Sequence, residues 1–410
     1  MSKNREINLA VFLHTEDWTE IMKTVARKFG QEWDGKNTML LGNEQVRCEV
    51  QVLARSMGDK YAEYIHSIGH ALSGHMLGFP GENLDDVKGN LLHYITRADN
   101  YIMVNVIANE ESCPKEIFEE NFENTMDLFE DVAKELNGGV IAFANGAAFF
   151  DEQDNIILDQ DGTCQIEDYF PFVYKENAEF LADVTQRQLN RRNENMKYLM
   201  EQKIYCMELP VNEDDENVTI RTVEEIAKRA VGVMLVSLYS ECLLSPQHNM
   251  TVQEAMEYIL GVAKEFQIDD LSDVMSPKEY AYVNNQQSTE QEQIAYSWNY
   301  EHLYMLEWAL GLQEWNMPVE ICDVAGCVRI LSQYASLDDI VANCSPRSKK
   351  EILDKADLIY RMDWACVDAR IHGLTGPAHM DHGVTQARHK TANWLIGFEN
   401  QEWDSVDTPT

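Results

Sequence analysis

An α+β fold is predicted for this 410-residue chain: a two-layer, sandwich-like α/β domain over residues 1–175, then an all-α helical domain over 176–410. Three observations predict it. Up to about residue 165, short apolar and β-branched runs alternate with amphipathic stretches. From about 175 the apolar residues recur at helical spacing. Between residues 210 and 390 no run carries a strand signal.

In the first half, residues 7–14 (INLAVFLH) read as a strand, followed by a helix through Trp18, Ile21, Met22, Val25 and Phe29 that stops at Gly30. NTMLLG and VRCEVQVLARS read as two strands, and KYAEYIHSIGHALSGHML as a helix interrupted by glycines. LDDVKGNLLHYITRA is helical, NYIMVNVIAN is a buried strand, and KEIFEENFENTMDLFEDVAKELN is a long acidic amphipathic helix. GGVIAFANGAAFFDEQDNIILD closes the half as strand, Asn-Gly turn and strand.

The second half opens with a polar helix over residues 176–202 and an acidic loop, NEDDEN, at 212–217. Capping boxes at Thr222/Glu225 and Thr251/Glu254 start two helices. Ser276 with Pro277 starts another. Residues 292–312 read as one buried helix ended by Pro318. Ser336 is a further N-cap, and Ser345 with Pro346 marks the last long helix start.

Composition limits the function. The net charge is −37, and between residues 101 and 300 Lys and Arg number 13 against 39 Asp and Glu. Such a surface repels phosphate backbones and anionic lipid, so neither nucleic acid nor membrane is an expected partner; the excess reads either as a solubility feature or as a surface for a basic protein partner. No apolar run is long enough to span a bilayer. The segment MSKNREINLAVFLH lacks the apolar stretch and cleavage site of a secretory signal. Nine cysteines, an odd number without a CxxC, fit a reduced cytoplasmic protein using cysteine as a small buried hydrophobe.

The helix over 292–312 carries the most informative side chain. Ile294, Trp298, Glu301, Met305, Trp308 and Leu312 form one stripe, and the carboxylate among five large apolar residues must find a cation or hydrogen-bond donors. Further on, Asp357, Arg361, Trp364 and Asp368 line one helix face beside the apolar seam Leu353, Ala356, Tyr360, Val367 and Ile371. Asp357 and Arg361 can pair locally, and Arg370 or Arg388 can reach across to Glu301. The candidate cluster is Glu301, Arg361, Asp363, Asp368, Arg370 and Arg388, walled by Trp298, Trp308, Trp364 and Trp394. It reads either as an ion network fixing helix register or as a pocket for a small anionic or polar ligand, with arginines as clamps and tryptophans as stacking walls.

WNYEHLYMLEWALGL with NMPVEICD, ILDKADLIYRMDWACVDARIHG, and ARHKTANWLIG followed by EWDSVDT, taken with RTVEEIAKRA, resemble the bacterial domain-of-unknown-function family 4272 over residues 185–408. One departure is Ala387, where the family has an acidic residue before the arginine. The resemblance implies a helical domain following a more variable α/β region, and no activity.

Metal and cofactor signals are weak. His66, His70 and His75 lack HExxH spacing; His372, His379 and His382 with Asp381 sit in a glycine-rich connector; Cys322 and Cys327 are five apart without a zinc-like partner pair. Glycine-rich phosphate loops and the GxSxG, Walker and Rossmann sequences are absent, so no cofactor and no metal is expected. Nothing pairs a nucleophile with a base. The expected function is non-enzymatic binding of a basic protein through the acidic surface, of the immunity or inhibitor kind, with ligand binding or catalysis at Glu301 as the alternative.

Overall fold

The computed structural model describes residues 4–173, 184–206, 209–212, 215–245 and 250–410. The chain divides into two compact units, Met1–Phe172 and Val173–Thr410.

The first unit is built on an antiparallel seven-stranded sheet of order β2-β3-β4-β1-β5-β6-β7. The strands are β1 (Asn4–Leu13), β2 (Thr38–Gly42), β3 (Val46–Ala54), β4 (Asn100–Asn109), β5 (Val140–Phe143), β6 (Ala148–Phe150) and β7 (Ile156–Asp159). β1 and β4 pair along their whole length, from Asn4 opposite Asn109 to Leu13 opposite Asn100. The α+β class stands, but there are three layers where the sequence suggests two. β1 alternates Leu9, Val11 and Leu13 into one core with Ala10 and Phe12 into another, so both faces need cover. Helices α1 (Trp18–Lys28) and α4 (Lys115–Glu135) pack on the first face, and α2 (Asp59–Met76) and α3 (Asp85–Thr96) on the second.

The second unit is helical: α5 (Gln186–Glu201), α6 (Val223–Leu244), α7 (Val252–Glu265), α8 (Pro277–Val283), α9 (Glu290–Ser297), α10 (Tyr300–Ala309), α11 (Val324–Leu331), α12 (Leu337–Asn343), α13 (Lys349–Ile371) and α14 (His382–Leu395). No strand occurs among its described residues. Most of the expected 176–202 helix forms as α5 behind a Thr185/Gln188 capping box; residues 176–183 lie outside the described residues, as do Glu213 and Asp214 of the acidic loop. The boxes at Thr222 and Thr251 are both made, and Ser276 and Ser336 cap as expected. α6 is buried on nearly every side, and α7, α9, α10 and α12 pack around it.

Two boundaries differ from the sequence reading. The long helix starts at Lys349, capped by Ser348 with Glu351, rather than at Ser345. Residues 345–347 instead lie against the end of α10: Arg347 N–H bonds to Ala309 C=O at 2.9 Å, and a Cβ on Gly311 would meet Ser345 O at 1.9 Å. Only glycine, at φ +72°, permits that approach. The helix over 292–312 is also two helices, turning at Trp298 and Asn299. Tyr296 stacks on Tyr282 at 4.1 Å, and this contact rolls α9 so that Ile294 and Trp298, each 45% exposed, leave the expected seam.

Candidate functional site

Every residue of α10 is buried. Glu301 on its first turn is 2% exposed, and both carboxylate oxygens are engaged. Oε2 accepts from Arg388 Nε at 3.0 Å, across from α14, and Oε1 accepts from the Cys322 backbone N–H at 2.5 Å. The Arg388 guanidinium lies over the Tyr304 ring at 4.3 Å and near Trp315 at 5.5 Å. Its Nη1 donates to Asn316 O at 2.9 Å and Oδ1 at 3.1 Å. A buried carboxylate held by one arginine and one amide, with the arginine sandwiched by rings, is compensated locally.

The ten residues grouped from the sequence do not form one cluster. Arg361 is 0% exposed but grips Asp357 bidentately at 2.9 Å, with Asn195 Nδ2 donating to the same carboxylate at 2.8 Å. The local Asp357/Arg361 pair therefore forms, on the side of α13 that faces α5. Asp363 takes the His389 ring at 2.7 Å. Asp368 lies beside His372 at 3.6 Å, and Arg370 and Ile371 are exposed at the helix end, contrary to their expected places in the cluster and the seam. Trp364 packs edge-on to Tyr205, Trp394 edge-on to Trp403, and Trp308 lies beneath Arg347. Trp298 lies half open on the surface. Across the bundle Glu301 and Arg388 meet, and Trp298 adjoins Glu301, its backbone C=O accepting from Glu301 N–H at 3.2 Å. Each residue advances a helix by about 100°, so residues at 361, 363 and 370 cannot all look the same way.

Sequence reasoning missed several members of this interior. Glu307, fully buried on α10, has its carboxyl pushed up to about 10 by burial, with Cys327 and Gln313 alongside. The signal that singled out Glu301, a carboxylate in an apolar helix, was present for Glu307 in MLEWAL as well. Arg229 on α6 pairs with Glu279 on α8 and lies over the Trp403 ring at 5.0 Å. His302 bonds through Nδ1 to Ala387 O and Thr391 Oγ1, both at 2.9 Å.

Burial, with Lys390 and Arg229 nearby, pushes His302 down to about 3 from its ordinary 6.5. A depressed folded pKa means that the unfolded chain binds the extra proton between those values, so this contribution is intact above pH 6.5 and is lost as pH falls towards 3. At pH 5 the loss should be about 2 kcal/mol. On going from pH 7 to pH 5, urea unfolding should show a His302→Gln variant gaining about 2 kcal/mol relative to the wild type; an unchanged pH slope would count against this role.

Among the described residues no three His, Cys, Asp or Glu groups converge as a metal would require. Asp381 caps α14 by accepting from Val384 N–H at 2.9 Å, and His66 and His70 meet edge to face at 4.3 Å on α2. No helix is long and apolar enough to cross a membrane among the described residues.

The acidic helix of the first unit presents a different surface. α4 buries Phe118, Met126, Phe129, Val132 and Ala133 against the sheet. Glu116, Glu120, Glu123 and Asp127, at steps of four, three and four, lie exposed along its outer side. Three nearby cations pair with other carboxylates: Lys115 with Glu119 at 3.0 Å, Lys28 with Asp131 at 3.1 Å, and Arg27 with Glu135; Lys134, further along α4, acts on Glu130. Glu130 on the same helix is pushed up to about 7, first by partial burial and then by Asp154 and Asp127.

The model of a family described as a domain of unknown function (DUF4272) matches residues 191–406. No curated protein matches the chain, and no solved structure does.

Proposed function

The chain belongs to the DUF4272 family, and we propose that it is a non-enzymatic binding protein that engages a basic protein partner through the outer face of α4, in the manner of an immunity or inhibitor protein. The single observation that carries this reading is the stripe Glu116, Glu120, Glu123 and Asp127, exposed and without a cationic partner among the described residues. Like charges at this spacing cost a helix about 0.2–0.5 kcal/mol per pair, a strain that a basic surface laid along the stripe would relieve. A net charge of −37 would also steer a cationic partner into encounter. Nine free cysteines fit residence in a reducing bacterial cytoplasm.

The alternative, a ligand pocket at Glu301, has one observation in its favour: a notch of about 170 Å³ lined by Ser297, Trp298, Tyr300, Glu301, Ile321, Cys322 and Val324. Ligand pockets are usually about 300–1,000 Å³, and the Glu301 carboxylate is already spent on Arg388 and the Cys322 amide. The acidic stripe is the better supported site.

The test is partner capture by the full chain and by a variant carrying Glu116→Gln, Glu120→Gln, Glu123→Gln and Asp127→Asn. A basic protein held by the wild type, released as ionic strength passes about 0.15 M and lost by the variant, is the expected outcome. A partner retained equally by the variant, or indifferent to salt, would contradict it.

A further inference from the structure

We propose that the free edge of β2 is a self-association surface, to which a second copy of this chain adds its own β2, antiparallel, about a twofold axis at Leu40. β2 is the outermost strand of its sheet. Its inner side is fixed by β3, with Thr38 opposite Gln51 and Gly42 opposite Arg47. Val52 N–H donates to Asn37 O at 2.8 Å, and Asn43 N–H donates to Val46 O at 2.9 Å. Hydrogen-bonded positions alternate along an antiparallel pair, so the odd-numbered residues of β2 turn their backbone groups towards β3. The N–H and C=O groups of Thr38, Leu40 and Gly42 therefore point outwards. Among the described residues none of them has a hydrogen-bond partner.

The side chains leave this edge open as well. TMLLG lacks the proline and the charged residues that commonly keep sheet edges apart. Met39 and Leu41 turn into the core, whereas Leu40 is 60% exposed on the opposite face. There it borders a groove of about 410 Å³ whose walls include Thr38, Gln51, Met103 and Asn105.

Charge and register select the second copy as the occupant. At −37, two chains repel one another over most approaches, but β2 itself is uncharged, and beside it Arg47 pairs with Glu49 within the chain at 3.0 Å. Antiparallel pairing centred on Leu40 is also self-complementary. Leu40 meets Leu40 of the second copy and exchanges two backbone hydrogen bonds with it, while Thr38 faces Gly42. The same register brings Lys36 of each copy level with Glu44 of the other, so opposite charges flank the uncharged strand on both sides of the axis. The two Leu40 side chains meet on the groove side and remove from water apolar surface that one copy alone leaves open. This surface uses other residues than the stripe on α4, and salt moves the two in opposite directions. Screening weakens capture of a basic partner and strengthens the pairing of two acidic chains.

The experiment is sedimentation velocity of the full chain over about 1–100 μM at about 0.15 M and about 0.5 M salt, the range in which a small interface dissociates. The expected result is a monomer–dimer equilibrium that moves to dimer with concentration and with salt. Leu40→Lys, which sets like charges face to face, should weaken association more than about tenfold and leave the urea midpoint unmoved, since the site is exposed in the single copy. Leu40→Cys should give a disulfide-linked dimer on mild oxidation, because directly opposed hydrogen-bonded residues have Cα atoms about 5.5 Å apart. Thr38→Cys should not, its counterpart lying roughly 13 Å further along the strand. Linked peptides are mapped by mass spectrometry against the wild type, whose own nine cysteines set the background. A chain that stays monomeric throughout overturns the proposal and leaves the edge to an extended peptide of another protein. A dimer that salt dissolves, that Leu40→Lys does not weaken, or that links as readily through Thr38→Cys overturns it as well. The linkage map decides the matter even if Leu40→Lys fails to fold.

Discussion

Replacing Glu301 with alanine should cost the helical unit about 3–5 kcal/mol, the usual consequence of stripping one partner from a buried ion pair. The reason is local. Arg388 is 0% exposed, and without the carboxylate its Nε loses its acceptor while the guanidinium stays wedged between Tyr304 and Trp315. The Cys322 amide loses its acceptor too. Truncating both partners together, as Glu301→Leu with Arg388→Met, should recover most of that loss, because no unpaired charge remains and both replacements are apolar. Urea unfolding of the two singles and the double, followed through the transition of the helical unit, checks this; single losses under about 1 kcal/mol would mean that water reaches the pair.

A second large effect has the opposite sign. Glu307→Gln should stabilise the protein at neutral pH. Burial raises this carboxyl from 4.5 to about 10, so the folded chain holds a proton that the unfolded chain has released. The Glu307 contribution is therefore undiminished below pH 4.5 and falls as pH rises towards 10. By pH 7 the loss amounts to about 3 kcal/mol. Glutamine is neutral at every pH and presents the same oxygen to Gln313, so it removes the loss without emptying the site. Between pH 7 and pH 8.5, above the range in which His302 titrates, urea midpoints should fall for the wild type and lie flat for the variant. A variant less stable than the wild type at pH 8.5 would mean that Glu307 is ionised in the fold and has a partner of its own.

The sequence shows its helix starts plainly because a cap is a short-range device. Thr222 with Glu225, Thr251 with Glu254, and Ser276 with Pro277 each act within four residues, and all three form. The Glu301–Arg388 pair was legible for a related reason: a carboxylate in an apolar stripe demands a cation, and few were on offer. The break at Trp298 was not, because the roll of α9 is set by Tyr296 stacking on Tyr282, fourteen residues earlier and on another helix. The division of the arginine set was hidden likewise. Arg361 has Asp357 one turn away and Asn195 beyond it, and spacing along α13 alone does not say which neighbouring helix each face meets. The third layer of the first unit depended on which helix returns to which face of the sheet, a tertiary choice that strand patterning leaves open.

The central claim is that the polar interior of the helical unit holds that unit together and leaves binding to the acidic face of α4. Thermal-shift profiles of wild type and Glu301→Gln against metals, nucleotides, sugars and small acids test it most directly. The account predicts that the variant melts several degrees earlier and that no compound raises the wild type alone, since Glu301 is already committed to Arg388 and the Cys322 amide. A compound that raises the melting temperature of the wild type and leaves the variant unmoved would contradict it, and would make Glu301 a ligand-binding carboxylate.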